Sequence, residues 1–136
     1  MSKIFINLPV SNVIQATAFY KALWFKQNMD FSNTDASSMM WDENIYVMLL
    51  SHSFCSNFLP QGKAIANSHQ TCEVLNALQF ESRETVDNFF TKAINAGAKA
   101  TIDTYDHGFM YGRDFEDLDG HIWEAFWMDV SQMPKE

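Results

Sequence analysis

The chain has 136 residues, about the size of one domain, and 47% hydrophobic with 15% aromatic residues supplies the material for a packed core. Only 19% of residues are charged, which excludes a disordered chain. Nine Lys and Arg stand against 17 Asp and Glu, a formal charge of −8 with no two cations adjacent, so nucleic acid and anionic membrane surfaces are excluded as partners.

Cys55 and Cys72 show neither a CxxC pattern nor an adjacent His, which argues against a zinc cluster or a disulfide framework. Free thiols in a reducing cytoplasm are expected. The opening MSKIFINLPV is too short an apolar run for a signal-peptide core, and no stretch reaches the apolar length that spans a bilayer.

Residues 4–10 predict a strand with Ile4, Ile6, Leu8 and Val10 on one face. Ser11 or Asn12 then caps a helix carrying Val13, Ala16, Phe19, Tyr20, Leu23 and Trp24 at three- and four-residue spacings. Strand signals follow at about 26–33, 36–42 and 44–51, then a short helix or loop at 52–59. Pro60, Gly62 and Asn67 mark a linker over about 60–70. Residues 73–80 predict the next strand, Ser82 caps a helix over 84–96 that ends at Gly97, and strands at about 98–105, 108–115 and 121–128 close the set.

The order therefore repeats. A shift of 70 lays Leu8 on Leu78, Val10 on Phe80, Asn12 on Ser82, Ala16 on Val86, Phe19 on Phe89 and Tyr20 on Phe90. A shift of 77 lays Ile45-Tyr46-Val47 on Ile122-Trp123-Glu124. The expected fold class is α+β: one domain over 1–136 made of two βαβββ modules, about 1–60 and 71–130, with curved mixed sheets forming a cleft.

Each helix needs an apolar sheet face to pack on. We assign Ile4, Ile6, Leu8, Val10, Tyr46, Met48 and Leu50 to that face in the first module, and Val74, Leu78, Phe80, Trp123, Ala125 and Trp127 in the second, with Asn76 a polar intruder. The opposite faces then carry Phe5, Asn7, Ile45, Val47 and Leu49, and Glu73, Leu75, Ala77, Gln79, Ile122, Glu124 and Phe126. These faces are expected to line a cleft for a small molecule.

Leu8-Pro9-Val10-Ser11-Asn12 running into Ala18-Phe19-Tyr20-Lys21-Ala22-Leu23, and Phe115-Glu116-Asp117-Leu118-Asp119-Gly120-His121-Ile122-Trp123-Glu124, resemble the vicinal oxygen chelate superfamily of glyoxalases, bleomycin-resistance proteins and extradiol dioxygenases. The second segment is similar to that family's D-P-D-G-x-x-x-E ending, with Leu118 in place of Pro. Trp24 stands where a Gly usually follows the first helix. The resemblance implies a U-shaped cleft, often in a homodimer, and in metal-dependent members a divalent cation held by four side chains. Those positions fall on Phe5, Val47, Leu75 and Glu124, of which only Glu124 is a ligand type.

Glu124 is thus the candidate acid, base or ligand anchor; the structural alternative is a carboxylate paired to Arg113 or Tyr111. Asn7, Glu73 and Gln79 are candidates to orient a ligand. Phe109 and Tyr111, between Gly108 and Gly112, are candidates to stack on it, alongside Phe5, Val47, Leu49, Leu75 and Phe126. Trp24, Phe25 and Trp41 are assigned to the core. His52, His69, His107 and His121 form no HxH, HxxxH or HExxH set, although a displaced metal site of His69 or His107 with Glu73 and Glu124 is weighed. No nucleophile elbow or phosphate loop is present. The leading expectation is a small-molecule-binding protein with no cofactor, of resistance type or a metal-independent enzyme. A metal-dependent glyoxalase-type lyase, or a related transferase or dioxygenase, is the second; a dimeric interaction module is the third.

Overall fold

In the segment Ile-Phe-Ile-Asn-Leu-Pro-Val, β-branched and apolar residues alternate, and it forms strand β1 (Ile4–Val10) with Leu8 and Val10 buried. The chain is described by a computed structural model over residues 1–134. Asn12 caps helix α1 (Val13–Ala22), its side-chain oxygen accepting from the Gln15 N–H at 2.9 Å. Ala16, Phe19 and Tyr20 form the buried face of α1. Strands β2 (Lys26–Asn28), β3 (Ala36–Asp42) and β4 (Ile45–Ser51) follow, then a short helix α2 (His52–Ser56). The sheet order is β1-β4-β3-β2, with β1 parallel to β4 and the other pairs antiparallel.

The second half repeats the plan. Strand β5 (Leu75–Phe80) leads to helix α3 (Arg83–Asn95), capped by Ser82, and then to β6 (Lys99–Ala100), β7 (Tyr105–Asp106), β8 (Met110–Glu116) and β9 (Ile122–Met128). Here β5 pairs parallel with β9, which pairs with β8, and β6 and β7 both pair with β8. The two halves are separate compact units, Met1–Thr71 and a second that begins at Cys72. The α+β class with two βαβββ sheets stands as expected. In the second core Val86, Phe89, Phe90 and Ala93 of α3 meet Leu78, Phe80, Phe115, Trp123 and Ala125, all buried.

Several boundaries differ from the periodicity reading. The strand expected at 26–33 stops at Asn28, where a 3-10 turn over Met29–Phe31 begins, capped by the Asn28 side chain. The segment 98–105 is two short strands separated by residues 101–104. Strand β5 starts at Leu75, so Glu73 lies in exposed coil before it rather than on a sheet face.

The larger correction concerns the faces of β4. Parallel pairing sets Phe5 opposite Tyr46, Asn7 opposite Met48 and Leu8 opposite Leu49. The Phe5 and Tyr46 rings stack at 4.6 Å. Residues paired in a ladder point to one side, so Tyr46, Met48 and Leu50 share the outer face with Phe5 and Asn7. Val47 and Leu49 lie on the helix side and have no exposed surface. Neither Val47 nor Leu49 lines an outer face. Strand β4 is apolar on both sides, so alternation carried no information about which side the helix covers. With Leu8 and Leu78 equivalent, their partners Leu49 and Ala125 set the repeat of the closing strands at 76 residues, which puts Met48, not Val47, at the position of Glu124.

Trp24 adopts φ +72°, the left-handed region. It closes α1 as the turn residue of a Schellman motif: Trp24 N–H donates to the Lys21 carbonyl at 3.3 Å and Phe25 N–H to the Tyr20 carbonyl at 3.1 Å. The Tyr20 and Phe25 rings make the accompanying apolar contact, edge to face at 5.2 Å. Glycine normally fills this position because a Cβ there is costly.

Two predictions follow from these backbones. A carboxylate at Val47 would be buried without a partner, so Val47→Glu is expected to cost about 4 kcal/mol or more, against about 1 kcal/mol for Met48→Glu on the outer face, in urea unfolding. Comparable losses would mean the register is off by one. Trp24→Gly is expected to be about 1 kcal/mol more stable than Trp24→Ala, since both lose the ring and only Ala keeps the strained Cβ; equal midpoints would rule out backbone strain at Trp24.

Candidate functional site

Across β8 and β9, register places Tyr111, Arg113 and Phe115 with Trp127, Ala125 and Trp123 on the helix side. Met110, Gly112, Asp114 and Glu116 share the outer face with Met128, Phe126, Glu124 and Ile122. Strand β5 adds Leu75, Ala77 and Gln79 to that face, Ala77 directly beside Glu124. The outer face of the second sheet is thus largely apolar around an acidic pair, Glu124 and Asp114, which stand opposite each other across the two strands. Asp114 is buried, at 4% exposure.

A third group completes the cluster. Tyr105 pairs with Gly112, and its ring lies where a side chain at residue 112 would project; a Cβ built on Gly112 would sit 2.2 Å from the ring. Gly112 is therefore required by close approach rather than by its backbone angles. From that seat the Tyr105 hydroxyl donates to Asp114 Oδ1 at 3.0 Å.

The electrostatics follow from the geometry. Burial pushes the Glu124 carboxyl up, and the Asp114 charge and hydrogen bond push it further. Burial raises Asp114 as well, opposed by the hydrogen bonds it accepts from Tyr105 and Glu124. Burial and the neighbouring charge thus both favour the protonated form of Glu124, with Asp114 as its acceptor. Tyr105 is raised well above the ordinary phenol value, first by burial and then by the Asp114 charge.

The structural alternative of Glu124 paired to Arg113 or Tyr111 is overturned by the same register. Both point to the helix side, where Asp87 of α3 accepts from the Tyr111 hydroxyl at 2.6 Å and from Arg113 at 3.2 Å. The Arg113 guanidinium lies 3.9 Å from the Phe90 ring centroid. Tyr111 therefore does not lie on the face with Glu124. Phe109 precedes β8, half-buried, its carbonyl accepting from the Asp129 N–H at 2.7 Å and its ring 6.3 Å from His107.

Among the sequence candidates, Leu75, Gln79, Glu124 and Phe126 come together on the second sheet, with Leu75 half exposed. Phe5 and Asn7 lie on the outer face of the first sheet, beside Tyr46 and Met48. Asp114 and Tyr105 were missed. Asp114 was recoverable by counting back from Glu124 across the Asp117–Gly120 turn, whereas Tyr105 sat inside a span read as one continuous strand.

The Asp-Leu-Asp-Gly segment is itself structural. Asp117 Oδ1 accepts from the N–H groups of Asp119 and His121, both at 2.9 Å, and Gly120 has φ +87°. It builds the hairpin that sets Asp114 opposite Glu124.

No family model matches this chain, and no curated protein matches it. Solved structures do. A hypothetical protein SA1046 from S. aureus is 24% identical, with a TM-score of 0.77 over 93% of this chain and 94% of that one. A glyoxalase/bleomycin resistance protein/dioxygenase family enzyme from Burkholderia phytofirmans PsJN is 14% identical, with a TM-score of 0.74 over 95% of this chain and all of the other. The fosfomycin resistance protein FosX from Listeria monocytogenes is 17% identical, with a TM-score of 0.67 over 96% of each. The fold is that of the vicinal oxygen chelate superfamily.

Metal-dependent members of that superfamily raise the question of a cation. With the register corrected, the four implied ligand positions hold Phe5, Met48, Leu75 and Glu124. Two offer no lone pair and one a thioether, so this donor set does not fit a hard or borderline divalent ion. Among the described residues, no group of three His, Cys, Asp or Glu is placed to share a metal, the weighed sets of His69 or His107 with Glu73 and Glu124 included.

The raised carboxyls predict a pH dependence of stability. A group whose folded pKa is raised contributes stability that is complete below its unfolded value and lost as pH rises through the folded value. The pair's contribution is therefore full below about pH 4, the ordinary carboxyl value, and declines as pH rises through the raised folded values. Glu124→Gln keeps a donor for Asp114 and removes one titration. Urea unfolding at pH 4.5 and 7.5 should show a smaller loss in the variant than in the parent; parallel slopes would show that the two carboxyls do not share a proton.

Proposed function

We propose that this chain binds a small organic molecule against the outer face of its second sheet, with Glu124 and Asp114 as its polar anchor and without a metal ion. The observation that carries this reading is a largely apolar sheet face on which two carboxyls, Glu124 and Asp114, stand opposite each other with the Tyr105 hydroxyl on Asp114. Concave or open apolar surfaces with a few convergent polar groups are the usual setting of ligand recognition. The fold supports the reading, because proteins of this fold include ones named as resistance proteins and as glyoxalase-related.

The chemistry available is that of a Brønsted acid. Glu124 is the carboxyl that burial and its acidic neighbour shift toward the protonated form; Asp114, steadied by Tyr105, is placed to accept its hydrogen bond. Such a pair can donate a hydrogen bond to a ligand oxygen, or lose its proton and hold an ammonium group between two carboxylates. Leu75, Ala77, Ile122 and Phe126 would take the apolar body of the ligand. In this reading the protein resembles the sequestering members of its superfamily or acts as a metal-independent acid catalyst.

Thermal melting of chelator-treated protein tests it. Planar or amphipathic compounds bearing a hydroxyl or amine are expected to raise the midpoint, and Glu124→Leu to abolish the response. A ligand at 100 times its dissociation constant adds about 2.7 kcal/mol. Ni²⁺, Zn²⁺, Fe²⁺ and Mn²⁺ are expected to leave the midpoint in place. A rise of several degrees with one of these ions, lost in Glu124→Ala, would establish the metal-dependent lyase reading instead.

A further inference from the structure

The segment that seats Tyr105 is held from outside the acidic face. Arg83, the first residue of α3, grips Asp106 with both arms, Nη1 to Oδ2 at 2.6 Å and Nη2 to Oδ1 at 3.0 Å. Its Nη2 also donates to the Gly108 carbonyl at 2.9 Å. The guanidinium stacks against two rings, 5.0 Å from the Tyr111 centroid and 5.1 Å from that of Trp127. Asp106 in turn accepts from the Gly108 N–H at 2.9 Å, closing the turn on itself.

Exposed ion pairs usually hold little. This one is bidentate, has a third acceptor and sits on two aromatic faces, the combination that fixes an arginine in one geometry. It adds to a weakly anchored element: β7 is two residues long, follows coil at 101–104 and, among the described residues, pairs with β8 alone, the His107 N–H to Met110 carbonyl bond at 2.8 Å closing the turn after it. Asp106 and Tyr105 are adjacent, and in a strand adjacent side chains point to opposite faces. A grip on Asp106 from the helix side therefore presses Tyr105 onto Gly112 and Asp114 on the outer side.

We propose that Arg83 is a positioning residue for the acidic pair: by clamping Asp106 and Gly108 it keeps the 105–109 segment closed, with Tyr105 seated over Gly112 and its hydroxyl on Asp114. Release of the clamp uncovers the Asp114 carboxylate. The inference rests on the reading that this face carries the site, and it assigns that face a strap controlled from the N-terminus of α3. Apart from Tyr105, no titratable side chain of β5, β7 or β9 shares the outer face with the pair; Glu116 of β8 and Lys99 of β6 oppose each other further along it.

Nitration of the full-length chain by tetranitromethane, read residue by residue by mass spectrometry, tests the clamp without any ligand. In the parent Tyr105 is expected to react slowly. Arg83→Gln and Asp106→Asn are each expected to raise its rate about tenfold, with Arg83→Lys between. Tyr20 and Tyr46, in the first unit and buried, should not change. Unchanged Tyr105 rates in Arg83→Gln and Asp106→Asn would overturn the proposal. If a variant also exposes Tyr20, the parent protein in about 1 M NaCl decides: a selective rise at Tyr105 supports the clamp, and none overturns it. Because no ligand enters, a protein whose melt responds to no compound but whose Tyr105 is freed by both variants keeps the clamp and loses the ligand site.

Discussion

In each unit the first strand lies parallel to the last, β1 along β4 and β5 along β9, and these two ladders decide which side chains face the helix and which face outward. Parallel pairing of strands so far apart in sequence requires a crossover, and the helix supplies it together with the intervening strands, two in the first unit and three in the second. Once the ladder is set, each later strand adds in antiparallel order and inherits the same division of faces. Shifting either ladder by one residue would turn the core face of β4 or β9 to the outside. That register decides which side chains stand beside Glu124.

The second unit shows what the division achieves. On the helix side, Arg113 and Tyr111 meet Asp87, and Arg113 lies over Phe90, so the charges of that layer are paired within it. On the outer side two carboxyls and a phenol, Glu124, Asp114 and Tyr105, cluster in largely apolar surroundings, with Gln79 and the opposed Glu116 and Lys99 elsewhere on the face. The carboxyls have no cation opposite them on their own row, and burial together with the Asp114 charge raises Glu124. Separation of charge by face, not overall composition, produces that shift.

The corresponding row of the first sheet runs Asn7, Met48, Ser38 and Asn28, with no carboxyl in it. Ser38 is fully buried and its hydroxyl has no hydrogen-bond partner among the described residues. The duplication preserved the scaffold while the outer rows diverged, one to an acid pair and the other to neutral groups. The two helix-facing cores are alike in kind, Leu8, Val10, Phe19 and Tyr20 answering Leu78, Phe80, Phe89 and Phe90, whereas the opposite rows differ in chemistry.

The linear sequence was sufficient for the element order, the duplication, the cap at Ser82 and the side of the sheet on which Glu124 lies, because these rest on local spacing and on a repeat that survives in apolar positions. It also marked Trp24 as out of place, and the positive φ there bears this out. Only tertiary structure decided the faces of β4, where Ile-Tyr-Val-Met-Leu-Leu is apolar on both sides and carries no alternation to read. The same holds for Tyr111 and Arg113, whose side was set by Asp87 and Phe90 on a helix more than twenty residues away. Tyr105 and Asp114 became partners of Glu124 through strand pairing alone. Local patterns report what a residue prefers; which neighbours it meets across a ladder is fixed only when the strands are aligned.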